Sequence, residues 1–130
     1  MKRATLFGVA LGLTLSTVAS PARTKISDRD AVRAIIGEGA NQCDAALAGI
    51  ASAIHNRGTL RGVYGLTNPI VDTASDALWA RARRAWAMAK NADAAAGCKF
   101  FGCPTDVQWF HKHGFVAVKT IGQITFYKPA

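Results

Sequence analysis

A chain of 130 residues with 16 Lys and Arg against 8 Asp and Glu, a formal charge of +8, has room for one folded domain with a basic surface. It contains no run of five Lys or Arg and no recognisable nucleic-acid motif, which sets DNA and RNA aside as partners. The three cysteines lack Cys-x-x-Cys spacing, and His111 and His113 lie two apart, which suits neither a zinc finger nor a helical His-Glu-x-x-His site. No metal and no organic cofactor are expected.

The chain opens with an export signature. Lys2 and Arg3 precede an uncharged apolar run from Ala4 to Leu15, and the small residues of Ser16-Thr17-Val18-Ala19-Ser20-Pro21-Ala22 follow. This is the layout of a secretory signal peptide. Cleavage after Ala22 satisfies the small-x-small rule, with Ala19 as the alternative. The run is shorter than the roughly 20 apolar residues that span a bilayer. Residues 1–22 are therefore read as the signal and residues 23–130 as the mature domain, destined for the periplasm or cell wall. Loss of Lys2 and Arg3 leaves 14 basic residues against 8 acidic, a charge of +6. An exported cation of this kind meets cell-wall polymers, lipid head groups or extracellular nucleic acid.

In the folded region, Ser27 and Asp30 have the spacing of a helix cap, and Ala31, Val32, Ile35 and Ile36 recur at helical intervals after them. A second helix is predicted from Asp44 to Asn56, with Leu47, Ile50, Ala51 and Ile54 as its buried stripe and Gly58 as its stop. Thr59 to Pro69 is rich in turn-formers around Val63-Tyr64 and reads as an ordered loop. A third helix is predicted from Thr73 to Ala95, capped by Thr73 with Asp76. Trp79 and Trp86 share one of its faces, and Arg81, Arg83 and Arg84 are expected to project into solvent. Val116-Ala117-Val118 and Ile124-Thr125-Phe126-Tyr127, separated by Gly122, read as a terminal β-hairpin. The expected fold class is α+β, mostly α, with a small C-terminal β element.

Export also predicts disulfide chemistry. Cys98 and Cys103 close the short loop Lys99-Phe100-Phe101-Gly102 and are the pair expected by proximity, which leaves Cys43 over. Cys43 could instead partner either of the other two.

Glu38 is the only glutamate; every other acid is an aspartate. It lies between Gly37 and Gly39, where the apolar first helix runs out. A carboxyl group with so little solvation has a raised pKa and can act as a general acid near neutral pH. A carboxylate that caps or pairs at a helix end is the alternative.

The order of motifs, Ile36-Gly37-Glu38-Gly39, then Ala53-Ile54-His55-Asn56-Arg57, then an alanine-rich Trp helix, then Ile121-Gly122-Gln123-Ile124-Thr125-Phe126-Tyr127, resembles the spore-cortex-lytic (SleB-type) cell wall hydrolases. The resemblance covers residues 30 to 128. It implies a lysozyme-like domain that cleaves peptidoglycan between N-acetylmuramic acid and N-acetylglucosamine, with Glu38 as the catalytic residue. Enzymes of this kind are similar to lytic transglycosylases. There one Glu protonates the leaving oxygen and then takes a proton from the muramic acid 6-hydroxyl to close a 1,6-anhydro ring. A hydrolytic enzyme needs a second carboxylate, about 5–5.5 Å away for retention or about 6.5–9.5 Å for inversion; Asp44 and Asp72 are the candidates.

The chain departs from the family in three places, the first being the short loop after Asn56-Arg57, which lacks the family's Gln-Phe substrate segment and offers Val63-Tyr64-Gly65 in part of its place. The cleft-lining Gly-Ala-Thr-His-Tyr of the family matches Gly97-Cys98-Lys99-Phe100-Phe101, and the closing Asn-His matches Gln123-Ile124. Under the resemblance, Tyr64 contacts the glycan or its acetamido group, Phe101 and Trp109 stack on sugar rings or pack structurally, and Tyr127 brings its hydroxyl near Glu38. Asn56 and Arg57 hold the helix end and the next loop. His55 is packed or at the surface, and Cys43 ties the Glu38 loop to the Cys98–Cys103 region. The expected partners are peptidoglycan glycan strands, met as a monomer, with no nucleic acid and with the membrane touched only through the signal segment. A bacterial wall-remodelling enzyme and a phage endolysin both fit. Two further readings compete: a non-catalytic peptidoglycan-binding module of the same fold, and a thiol hydrolase using Cys43 with His55, His111 or His113. The last is disfavoured because Asp44 beside the thiol would raise its pKa.

Overall fold

The structure is a computed structural model that describes residues 25–130; the signal segment expected over residues 1–22 lies outside the described residues. It is an α+β fold, mostly α, with a small antiparallel sheet near the C-terminus. The elements run α1 (Asp28–Gly39), α2 (Asp44–Arg57), two 3₁₀ turns (Tyr64–Thr67 and Pro69–Thr73), α3 (Asp76–Ala89), β1 (Phe100–Gly102), a 3₁₀ turn (Pro104–Asp106), α4 (Val107–Lys112), β2 (Phe115–Ile121) and β3 (Ile124–Pro129). Among the described residues no helix is long and apolar enough to cross a membrane.

The first two helices form as their sequence predicts. The Ser27 hydroxyl accepts from the Asp30 amide at 3.1 Å and caps α1, whose Ala31, Val32, Ile35 and Ile36 are buried. The predicted stripe of α2, Leu47, Ile50, Ala51 and Ile54, is buried against them, and Gly58 ends the helix in the left-handed region. Both helices are apolar enough to serve as the two sides of one core, and α3 closes it with Ala82, Ala85 and Trp86. The indole N–H of Trp86 donates to Asp28 at 2.8 Å, so the wide ring is buried without stranding its donor.

Helix α3 is shorter than expected at both ends. Ser75, not Thr73, is the cap, accepting from the Leu78 amide at 3.1 Å, while the Thr73 hydroxyl bonds back to the Ile70 carbonyl inside a 3₁₀ turn. At the other end, Asp93 accepts from the amides of Ala95 and Gly97 at 2.8 and 2.6 Å. A short acid that captures the amides ahead of it competes with the helix ladder, and the alanine-rich stretch turns instead of continuing. Arg81 is also corrected. It is half-buried across the start of α2, with Nε 2.5 Å from Asp44 and Nη2 2.7 Å from the carbonyl oxygen of Gln42, rather than in solvent.

The β-hairpin is present and gains a third strand. The sheet order is β1-β3-β2, antiparallel throughout, with Phe101 opposite Phe126 and Thr120 opposite Thr125. Gly122, at φ +59°, opens the two-residue turn between β2 and β3. Ile124 and Phe126 point from β3 into the helical core, and α4 covers Tyr127 on the other face.

The expected Cys98–Cys103 disulfide is not formed: all three cysteines are free, Cys98 buried and Cys43 and Cys103 exposed. The residues between Cys98 and Cys103 include β1, hydrogen-bonded in register to β3. The three strand residues between them extend the chain by roughly 10 Å, whereas a disulfide needs α-carbons about 4.4–6.8 Å apart. Cys43, exposed at the start of α2, makes no link to that region.

Candidate active site

Glu38 lies in the last turn of α1, half-buried, with its helix held in place by the apolar face it presents to the core. The 3₁₀ turn Tyr64–Thr67 lies directly on that end of the helix, and two glycines make the approach possible. A Cβ on Gly37 would fall on the carbonyl group of Gly65, and a Cβ on Gly65 would come within 2.6 Å of the Ala34 carbonyl oxygen. Any side chain at either position would push the turn away. In contact, the Gly65 amide donates to Glu38 Oε2 at 2.7 Å, and the Asn68 side-chain amide donates to the Gly37 carbonyl at 3.0 Å. The first bond orients the carboxyl group, and the second pins the loop beside it.

The carboxyl group faces a cleft of about 540 Å³. Gly62, Val63 and Tyr64 line it on the Glu38 side; Phe100, Phe101 and Gly102 of β1, with Cys103, Asp106, Trp109 and Phe110, line it across the way. Burial pushes the Glu38 pKa up. The Gly65 hydrogen bond pulls it back, the negative charge of Asp106 adds to the rise, and the positive charge of Arg57 opposes it; the balance stays above the ordinary value. A carboxyl group in this state can carry a proton to a substrate oxygen and take one back.

Of the residues expected to bind substrate, three line this cleft with Glu38. Tyr64 is 83% exposed at its rim. Trp109 is 54% exposed, with the His113 ring stacked on it at 4.1 Å. Phe101 is half-buried and tilts against Phe126. Tyr127 does not line the cleft. It is 1% exposed and stacked on Phe110 at 3.9 Å, so the expected approach of its hydroxyl to Glu38 is replaced by a supporting role behind the wall. Helix α4 accounts for this, because it covers the face of β3 on which Tyr127 lies, and burial there pushes the phenol pKa up.

Two residues of the cleft were missed as functional candidates. The second carboxylate is Asp106; the expected candidates are tied up elsewhere, Asp44 with Arg81 and Asp72 with Arg33. Asp106 ends the 3₁₀ turn Pro104–Asp106, where its Oδ2 accepts from the Cys103 amide at 2.9 Å and from the Cys103 thiol at 3.2 Å. Cys103-Pro104-Thr105-Asp106 does carry a helix-start signature, proline in the first position and an acid three residues past the cap. The other is Arg57, which lines the cleft from the end of α2 as well as holding the following loop. Asn56 does not hold the loop after α2 as expected; it donates to Asp93 and to the Cys98 carbonyl and so ties α2 to the segment before β1, and His55 is an exposed side chain edge-on to Trp86.

Comparison with protein-family models, curated proteins and solved structures gives no significant match to this chain.

Proposed function

We propose that the protein is an exported peptidoglycan-cleaving glycosidase that acts between N-acetylmuramic acid and N-acetylglucosamine by the lytic transglycosylase route, with Glu38 as acid and base. The observation that carries this reading is the half-buried Glu38, its pKa raised by burial, opening onto a cleft walled by Tyr64, Phe101 and Trp109. Aromatic walls suit the apolar faces of sugar rings, and a carboxyl group whose pKa is raised by burial suits proton transfer to a glycosidic leaving oxygen. The motif order shared with the spore-cortex-lytic hydrolases supports the same substrate and a lysozyme-like fold.

In this mechanism Oε2 stays bonded to the Gly65 amide, and the proton passes from the other carboxyl oxygen to the glycosidic oxygen as the C1–O bond breaks. The carboxylate left behind is stabilised by that amide. It then takes the proton of the muramic acid 6-hydroxyl as that oxygen bonds to C1. Atoms and protons balance, Glu38 is restored, and no water is consumed.

Asp106 on the same cleft supports a second reading, hydrolysis with two carboxylates. Release of soluble fragments from purified peptidoglycan by wild type, Glu38→Gln and Asp106→Asn tests both. The first reading expects loss of release in Glu38→Gln and retention in Asp106→Asn; loss in both favours hydrolysis. Binding without release by any of the three would make the protein a wall-binding module.

A further inference from the structure

Arg57 is the one residue of α2 that lines the cleft. A guanidinium group carries five N–H donors and no acceptor. Here Nη2 donates to the Arg61 carbonyl at 2.6 Å, and the group lies over the Phe100 ring, 5.3 Å from its centroid. Gly62 leaves the space for this: a Cβ there would come within 3.2 Å of Nη2. The carbonyl and the ring hold the guanidinium in place without neutralising it. Arg33, Arg81 and Lys90 each pair with an aspartate, whereas among the described residues no carboxylate lies within ion-pairing distance of Arg57. Glu38 acts on it only from beyond ion-pairing distance, and a half-buried cation with no carboxylate in contact gains from a ligand that supplies one. Its remaining donors have the fork geometry that binds a carboxylate through two hydrogen bonds.

We propose that Arg57 is the anion-recognition residue of the cleft, and that the substrate is a glycan carrying a carboxylate on the arm of the sugar beside the scissile bond. This rests on the glycosidase reading and narrows it: a neutral polymer of N-acetylglucosamine would leave Arg57 unpaired. Two sources share the chemistry, the lactyl carboxylate of a peptide-free N-acetylmuramic acid and a carboxylate of an attached stem peptide. Ligand binding also changes the site. A carboxylate on Arg57 cancels the positive charge that holds the Glu38 pKa down, so the proton is favoured on Glu38 when the proper substrate is present.

The test is calorimetric titration of the full mature protein carrying Glu38→Gln, which prevents turnover. Its ligands are a peptide-free tetrasaccharide of alternating N-acetylglucosamine and N-acetylmuramic acid, the same sugar with its lactyl carboxyls reduced to alcohols, and the peptide-bearing form. The expected result is that at least one carboxylate-bearing form binds about tenfold tighter than the reduced sugar. Arg57→Gln should remove that difference, and Arg57→Lys should keep part of it through its charge while holding the loop. A preference for the peptide-free form over the reduced one assigns the lactyl carboxylate; a preference shown only by the peptide-bearing form assigns the stem. Equal affinity for all three ligands, or a preference that survives Arg57→Gln, overturns the inference while leaving wild-type cleavage of peptidoglycan untouched. Absence of both binding and cleavage overturns the glycosidase reading with it.

Discussion

The amide of Gly65 donates to Oε2 of Glu38 at 2.7 Å, and the two residues are so close that a Cβ on Gly65 would lie 2.6 Å from the Cγ of Glu38. One contact thus orients the carboxyl group, shields it from water and depends on the absence of a side chain. Gly65→Ala should cost about 1–3 kcal/mol, because the added methyl meets helix backbone that cannot yield. The same change should remove the bond to Glu38 and lower activity at least tenfold. Urea midpoints and product release from peptidoglycan, measured on one preparation, check both halves.

Glu38→Gln should separate stability from activity. Because the native Glu38 pKa is raised, the folded protein holds this proton more tightly than the unfolded chain. Stability therefore declines as pH rises from the ordinary value of 4.5 through the raised one. Glutamine removes the buried charge. At pH 7 the variant should melt a few degrees above wild type, and near pH 4, where both are neutral, the gap should close. Cleavage should fall about 10²- to 10⁴-fold. Thermal melts across this range and a rate assay are sufficient.

The charge of Asp106 helps to keep Glu38 protonated. A general acid works in its protonated form, so activity should fall as pH rises through the Glu38 pKa. Asp106→Asn removes a nearby negative charge, makes the carboxylate easier to form and should shift this falling limb to lower pH. A pH–rate profile of the two proteins checks the direction; a shift to higher pH would mean that the bonds from Cys103, rather than the charge, dominate.

Much of this architecture is legible in residue order, and the misses have a common cause. Ser27 with Asp30, the Leu47–Ile54 stripe and Gly122 are local signals, each complete within a few turns of one helix or one hairpin, and each formed as expected. Asp93 ended α3 because a side chain reached amides two and four residues ahead, against a run of alanines that favours helix. Strand β1 is three residues long and exists only because β3 pairs with it; with β1 unseen, Cys98 and Cys103 read as neighbours. Helix α4 is six residues long, and without it Tyr127 reads as cleft-facing and Asp106 as part of a loop. Glu38 stood out through composition, since it is the only glutamate in the chain. Arg57 had no such mark.

The free thiols give a check on β1 that is independent of function. Cys43 and Cys103 are exposed and Cys98 is buried, its thiol pKa pushed up by burial. A chromogenic disulfide reagent should label two thiols in the native protein and the third only in denaturant. Reductant should leave the melting temperature unchanged. A single reactive thiol before reduction and three after it would restore the Cys98–Cys103 bridge and displace β1.

The central claim, that Glu38 drives anhydro-forming cleavage of peptidoglycan, is tested most directly by mass spectrometry of the soluble products released by the mature protein, with Glu38→Gln alongside. The account predicts 1,6-anhydromuropeptides from wild type and none from the variant. Reducing-end muropeptides from wild type would contradict the anhydro route and move the second step to Asp106, and products from Glu38→Gln equal to those of wild type would contradict the role of Glu38 itself.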